Sequence, residues 1–151
     1  MGKLLKATFI LSIIGTLFAG TVTLRQYLAP ATEPGIFSCV GFKVLGLSPC
    51  PYGLTFFLIL AVLSGLMFYQ GQKYFAKLLW PLRLVAWGGV IFSGWVGWRE
   101  LVSPALTFGQ TYWQTFALAR VPACVWGLVV FLAVAILSLL LKPPASPDTH
   151  A

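Results

Sequence analysis

Acidic residues and histidine are scarce in this 151-residue chain, which has three acids, one histidine and only 9% charged residues in all. The acids are Glu33, Glu100 and Asp148, and the histidine is His150. A hydrolytic triad would lack its base, and a zinc or iron site would lack its ligands. We therefore expect no metal site and no carboxylate proton relay through a membrane.

The low charge also excludes a water-soluble surface, because a soluble domain carries about a quarter charged residues. Hydrophobic residues make up 59% of the chain. The net charge of +7 would suggest nucleic acid in a soluble protein. Here the basic residues lie between apolar runs, so membrane topology explains them better. We expect a lipid bilayer as partner and no nucleic acid.

Four apolar stretches are long enough to cross a bilayer core, which needs about 20 helical residues. They cover roughly 7–28, 52–70, 82–101 and 123–141. None alternates polar and apolar residues as a β-barrel strand does. The sequence predicts an all-α membrane protein with four transmembrane helices, a single membrane domain over 1–151 and a disordered tail at 143–151.

The sequence repeats itself without a gap at an interval of 74 residues, the distance from Lys3 to Lys77. An apolar composition alone does not readily produce chance matches of arginine, proline and cysteine at one fixed interval. The matched pairs include Gly15 with Gly89, Arg25 with Arg99, Pro30 with Pro104 and Cys50 with Cys124. We expect two tandem helical-hairpin repeats, at about 3–66 and 77–140, related by a pseudo-two-fold axis along the membrane normal.

The first span begins like a cleaved signal peptide, with "MGKLLK" before an apolar run. The repeat makes it the counterpart of the third span, so we expect it to be retained. Small residues at four-residue intervals predict close helix packing. They are Gly15, Ala19 and Thr23 in the first span and Gly89, Ser93 and Gly97 in the third.

Lysine and arginine are distributed unevenly between the two sides. Six flank the side that holds the termini, namely Lys3, Lys6, Lys73, Lys77, Arg83 and Lys142, against Arg25, Lys43, Arg99 and Arg120 on the other. By the positive-inside rule both termini are predicted to be cytoplasmic. We expect a bacterial inner-membrane, multi-pass protein whose three cysteines lie at or near the outer face.

Cysteine is the only residue type that could carry catalysis here. Cys39 lies in the first outer loop, and Cys50 and Cys124 lie at the outer ends of the second and fourth spans. The amide dipole in the first turn of a helix favours a reactive thiolate. Two pairings are open: Cys50 with Cys124 across the axis, or Cys39 with Cys50. Inert buried cysteines and a static structural disulfide are the alternatives to redox catalysis.

Arg25 and Arg99 share an Arg-x4-Pro pattern at the outer ends of the first and third spans. An arginine that snorkels to the interface and meets a helix C-terminus accounts for this pattern. The alternative is an arginine pair on the axis that binds an anionic or carbonyl group, such as a quinone oxygen.

The arrangement resembles the vitamin K epoxide reductase and DsbB-type membrane thiol oxidoreductases. The matching features are Cys39 in the first outer loop, "GLSP" before the second span and Cys124 in "RVPACVWGL". The resemblance implies a four-helix bundle with a bound quinone, Cys39 and Cys50 as the loop pair and Cys124 as the quinone-facing thiol. Val121 stands where the family's Cys-x-x-Cys segment has its first cysteine.

Two functions therefore compete, and the sequence leaves open whether the protein is an enzyme. In the first, a thiolate at Cys124 or Cys50 attacks a disulfide, with a periplasmic thiol protein as partner. Electrons then pass to a quinone near the candidate binding residues Arg25, Arg99, Tyr52 and Trp126. In the second, the protein is a non-catalytic membrane subunit or assembly partner whose glycine-rich faces dock another membrane protein. A small transporter is a third possibility that no intramembrane charge supports.

Overall fold

The computed structural model describes residues 2–28, 45–70, 72–108 and 123–142. Over these ranges the chain forms four α-helices, which we number α1 Gly2–Leu28, α2 Pro49–Gln70, α3 Gln72–Phe108 and α4 Ala123–Leu140. Each helix contains a segment long and apolar enough to cross a membrane, namely Gly2–Arg25, Pro49–Gln70, Tyr74–Arg99 and Ala123–Leu140. The predicted all-α, multi-pass membrane protein is confirmed. Cys39 and the predicted tail at 143–151 lie outside the described residues.

The third helix is longer than its hydropathy predicts. The apolar stretch was expected from about residue 82, but α3 begins at Gln72, so Lys73 and Lys77 belong to the helix. The sequence placed both lysines between the second and third spans; Lys73 does precede the candidate span Tyr74–Arg99, whereas Lys77 lies within it. Hydropathy marks the part of a helix that suits the bilayer core, whereas helical hydrogen bonding continues through polar residues at its end.

Helices that are consecutive in the chain pack antiparallel. Gly15 of α1 lies opposite Phe57 of α2, and Gly20 lies opposite Leu54, so residue numbers rise on one helix as they fall on the other. The same order relates α3 to α4. Contacts of α2 with α3 and of α4 with α1 complete a four-helix bundle.

Phe57 and Phe131 form the centre of this bundle. Their rings are stacked, with centroids 4.0 Å apart and planes inclined by 6°, and both side chains are buried. Each ring lies directly against a glycine: a Cβ atom at Gly15 would overlap the ring of Phe57, and one at Gly89 would overlap that of Phe131. The absence of a side chain at these two glycines therefore lets the two rings meet.

Most of the buried hydroxyl groups are satisfied within their own helices. They donate to main-chain carbonyls three or four residues earlier, over distances of 2.6–3.0 Å, at Thr8, Ser12, Ser64 and Ser138. Such bonds remove the cost of burying a hydroxyl but do not link one helix to another. The centre of the bundle is therefore held by apolar packing.

Arg83 has a structural role at the end of α4. Its Nε donates to the carbonyl oxygen of Ser138 at 3.1 Å, and its Nη2 donates to that of Leu141 at 3.0 Å. The last carbonyls of a helix have no intrahelical donor, and a cation there also interacts favourably with the helix dipole. Arg83 thereby joins α3 to the C-terminus of α4.

Alanine at Gly15 or Gly89 is expected to destabilise the bundle, because each new methyl group would overlap a buried phenylalanine ring. Overpacking of this kind costs about 1–3 kcal/mol. The matched controls are Gly20→Ala and Gly94→Ala, where a Cβ atom would lie 3.8 Å from a leucine methyl group in ordinary contact. The gain in helix propensity from glycine to alanine is common to all four variants.

The measurement is the free energy of unfolding of the purified protein in mixed micelles, titrated with a denaturing detergent. Each packing variant should be less stable than its control, and the two packing variants should lose similar amounts. Equal stabilities at positions 15 and 20, or at 89 and 94, would contradict the packing described.

Candidate functional site

A sharp turn places Cys50 at the start of α2. Leu45 and Gly46 adopt left-handed backbone angles, with φ of 50° and 84°. Glycine takes this conformation without strain, which suits a turn immediately ahead of a helix. Ser48 then occupies the N-cap position and Pro49 begins the helix, both favoured residues there. Cys50 is thereby fixed in the first turn of α2.

Cys124 occupies the same place in α4, as the second residue of that helix. The two cysteines belong to one small apolar cluster, in which Val22, Cys50 and Ala123 are buried and Cys124 is half-buried. We call this end of the bundle, where α2 and α4 begin, the cysteine end. The sequence predicted that Cys50 and Cys124 occupy equivalent helix ends, and the structure places them together.

The two sulfurs are in different states. Cys50 is disulfide-bonded, whereas Cys124 carries a thiol. The sequence left two pairings open, and the Cys50–Cys124 disulfide was one of them. Because the sulfur of Cys124 is not in a disulfide, this pairing is not the one formed. Cys39, the third candidate catalytic residue, lies outside the described residues.

A cavity of about 40 Å³ lies between the helices at the cysteine end. Both cysteines line it, together with residues of all four helices, including Phe18, Val22 and Phe92. The stacked rings of Phe57 and Phe131 also line it, so the central stack of the bundle forms one wall. The same packing that holds the helices together therefore brings the disulfide and the thiol to one cavity.

The cavity is small for an organic cofactor. One buried water needs about 10–15 Å³, whereas pockets for small organic ligands measure roughly 300–1,000 Å³. At about 40 Å³ the cavity suits water or a group of similar size, and the ring of a quinone does not fit inside it.

The predicted quinone-binding residues lie outside the lining of this cavity. Tyr52 packs against Phe92, with ring centroids 5.8 Å apart, and Trp126 is exposed on α4. Arg25 and Arg99 are both exposed, and the guanidinium of Arg99 lies 5.7 Å from the ring centroid of Trp95. A guanidinium over an indole face is a favourable cation–π pair. The two described cysteines therefore line the cavity, and the four predicted quinone-binding residues lie outside its lining.

Ser93 is a lining residue that the sequence singled out only for helix packing. Its side chain is 4% exposed, and Gly127 of α4 lies opposite, since a Cβ atom there would be 3.8 Å from the hydroxyl oxygen of Ser93. The residue one repeat interval earlier is Ala19, which also lines the cavity. The two halves therefore differ at this position of the lining by one hydroxyl group.

Thiol–disulfide exchange needs a thiolate within reach of a disulfide sulfur, and the two described cysteines line one cavity. Both groups are held in the first turns of helices, where the amide dipole favours negative charge. Within the described residues there is no cluster of three or more histidine, cysteine, aspartate or glutamate side chains that could hold a metal ion.

No protein-family model matches the chain, and no curated protein or solved structure matches it either. The resemblance to membrane thiol oxidoreductases therefore depends on the quoted motifs alone. Any function for the chain has to be argued from its own residues and geometry.

Proposed function

We propose that the chain is a membrane thiol–disulfide redox protein whose reactive centre is the cavity at the cysteine end. One observation carries the proposal: a disulfide cysteine, Cys50, and a thiol cysteine, Cys124, line the same cavity. A static structural disulfide would not require a thiol beside it. Inert cysteines of a packed core would not require a cavity.

The architecture that we propose is a duplicated helical hairpin with a pseudo-two-fold axis through the Phe57–Phe131 stack. Its support is that buried positions recur at the repeat interval of 74 residues. The buried pairs include Leu5 with Leu79, Val22 with Val96, Leu60 with Val134, Ser64 with Ser138 and Met67 with Leu141. Such an axis brings equivalent residues together, which accounts for Cys50 and Cys124 sharing one cavity.

The disulfide that we propose joins Cys50 to Cys39. The chain has three cysteines, and Cys39 is the intramolecular partner left for Cys50 while Cys124 is a thiol. In the proposed exchange, the thiolate of Cys124 attacks the Sγ of Cys50. The Cys124–Cys50 bond forms, the Cys50–Cys39 bond breaks, and Cys39 leaves as a thiolate that takes up the proton lost by Cys124. The chain is neither oxidised nor reduced overall, so this step needs no external oxidant.

A quinone as the final electron acceptor stays a prediction, and we assign no step to it. Its ring does not fit the cavity, so it would have to approach from outside, beside Tyr52, Trp126 and Arg99. We propose that the cysteine end faces the outer compartment of an inner membrane, where a thiol protein would be the reaction partner. The support for this orientation is the excess of lysine and arginine at the opposite end.

A second candidate function, a non-catalytic subunit of a membrane complex, is favoured by the exposed face of α3. Four tryptophans follow that face, whereas the equivalent positions of α1 are not aromatic. The positions on α3 are Trp80, Trp87, Trp95 and Trp98, and those on α1 are Lys6, Ile13, Thr21 and Leu24. Trp87 is 40% exposed at the middle of the span Tyr74–Arg99. Tryptophan in contact with lipid prefers the interfaces, so its place here fits contact with another protein.

The exchange can be tested with the single internal methionine. Cyanogen bromide cleaves after Met67 and leaves Cys39 and Cys50 on one fragment and Cys124 on the other. In the wild-type protein we expect the fragments to separate without reductant. In Cys39→Ser, mild oxidation should join them through a Cys50–Cys124 disulfide, because the sulfur of Cys50 is then available to Cys124.

Cys50→Ser is the control and should not join its fragments under the same oxidation. Joined fragments in that control would show that Cys50 is not the shared sulfur. Fragments of Cys39→Ser that stay separate after oxidation, with both thiols still open to alkylation, would overturn the proposed reaction.

The subunit function makes a different prediction for Trp87→Leu. This substitution should leave the free energy of unfolding of the isolated chain unchanged but reduce the size of the complex released by mild detergent. Ile13→Leu, at the equivalent position of α1, should change neither property. An unchanged complex in Trp87→Leu would contradict the subunit function and leave the redox proposal as it stands.

A further inference from the structure

The exposed face of α1 is cationic in its first turns and aliphatic after them. Lys3 and Lys6 lie on this face near the start of the helix, and both side chains are exposed. The same face continues, at intervals of three and four residues, with the exposed side chains of Ile10, Ile13 and Leu17. A molecule lying along α1 would therefore meet two ammonium groups and then hydrocarbon.

The length of this face matches one leaflet of a bilayer. The rise from Lys6 to Leu17 is about 16 Å at 1.5 Å per residue, and half of a bilayer core measures about 15 Å. A lysine near the membrane boundary extends its ammonium group to the level of the headgroups. The two ammonium groups therefore lie where lipid phosphates lie, and the aliphatic side chains lie beside the acyl chains of that leaflet.

The charge at this end of the bundle is positive throughout the described residues. Lys77 and Lys142 lie at the same end and are also exposed. Glu100, the single acid within the described ranges, lies near the opposite end of α3. Lysines on one helix face repel each other, and the helix dipole disfavours cations in the first turns. The pair on α1 thus opposes the stability of its own helix, and a phosphate between the two ammonium groups would offset that cost.

The equivalent face of α3 lacks the lysine pair. One repeat interval later in the chain, Lys3 is matched by Lys77, but Lys6 is matched by Trp80. The face of α3 therefore has one ammonium group in these two positions where α1 has two. Of the two equivalent faces, that of α1 has the stronger attraction for an anion.

We propose that the exposed face of α1 binds one anionic phospholipid. The headgroup phosphate lies between the ammonium groups of Lys3 and Lys6, and an acyl chain lies along Ile10, Ile13 and Leu17. Attraction between the charges selects an anionic headgroup, and the aliphatic contact holds the lipid against the helix. The site is at the end of the bundle opposite the cysteine end, so it is independent of the redox chemistry proposed there.

Photolabelling of the full chain in phosphatidylcholine nanodiscs tests this site. The probe is a trace of either phosphatidylglycerol or phosphatidylcholine that carries a diazirine in its acyl chain. Both leaflets contain the probe, so the result does not depend on the topology of the chain. Cyanogen bromide cleavage after Met67 then separates α1 from α3 and α4. We expect a higher ratio of N-terminal to C-terminal labelling with the phosphatidylglycerol probe than with the phosphatidylcholine probe.

Lys6→Gln should lower this preference for the anionic probe about fivefold, which corresponds to about 1 kcal/mol for one basic residue at an anionic surface. Lys6→Arg keeps the charge and should keep the preference. Lys142→Gln removes a charge at the same end but away from this face, so it should change the ratio much less. Trp80→Lys gives α3 a lysine pair and should raise labelling of the C-terminal fragment by the anionic probe.

Equal ratios for the two probes on the wild-type chain would overturn the inference. So would a preference that survives in Lys6→Gln, or an equal loss in Lys6→Gln and Lys142→Gln, which would show attraction to the net charge alone. Labelling of the C-terminal fragment that Trp80→Lys leaves unchanged would also contradict a site built on the lysine pair.

Discussion

The stacked rings of Phe57 and Phe131 are the contact on which the rest of the structure depends. Two buried phenylalanine rings can stack with centroids 4.0 Å apart at the centre of a four-helix bundle only if the neighbouring helices, α1 and α3, have no side chain where each ring lies. Gly15 and Gly89 provide that space, because any side chain there would overlap a ring. With α2 and α4 facing each other at this level, their first turns converge at one end, and Cys50 and Cys124 line one cavity there.

The departures from the repeat are as informative as the matches. Arg83 binds carbonyls at the end of α4, whereas its counterpart Phe9 stacks on Phe68 of α2. Ser93 replaces Ala19 beside the thiol. In the duplicated hairpin that we propose, such differences between the halves would let one sulfur form a disulfide while the sulfur at the matching position stays a thiol.

The sequence predicts the fold well and the site only in part. Long apolar runs are sufficient to place four helices, because few other structures satisfy the backbone in lipid. The repeat interval also pointed to Cys50 and Cys124 as equivalent positions. Hydropathy and the repeat do not predict which side chains contact one another. They do not indicate that Arg83 binds the carbonyl of Ser138 or that α3 begins at Gln72. Nor do they indicate that Tyr52 and Trp126 lie outside the cavity lining. Those outcomes depend on helix rotation, which hydropathy does not specify.

The most direct test of a redox function is the thiol state of the protein in intact cells. After an acid quench, a maleimide mass tag counts the thiols on the wild-type chain and on Cys124→Ala. We predict one tagged thiol on the oxidised wild-type chain and three after reduction, with a ratio between the two forms that follows the quinone supply of the cell. Cys124→Ala should keep its disulfide whatever the supply. A wild-type tag count that never changes, whether one or three, would contradict redox function.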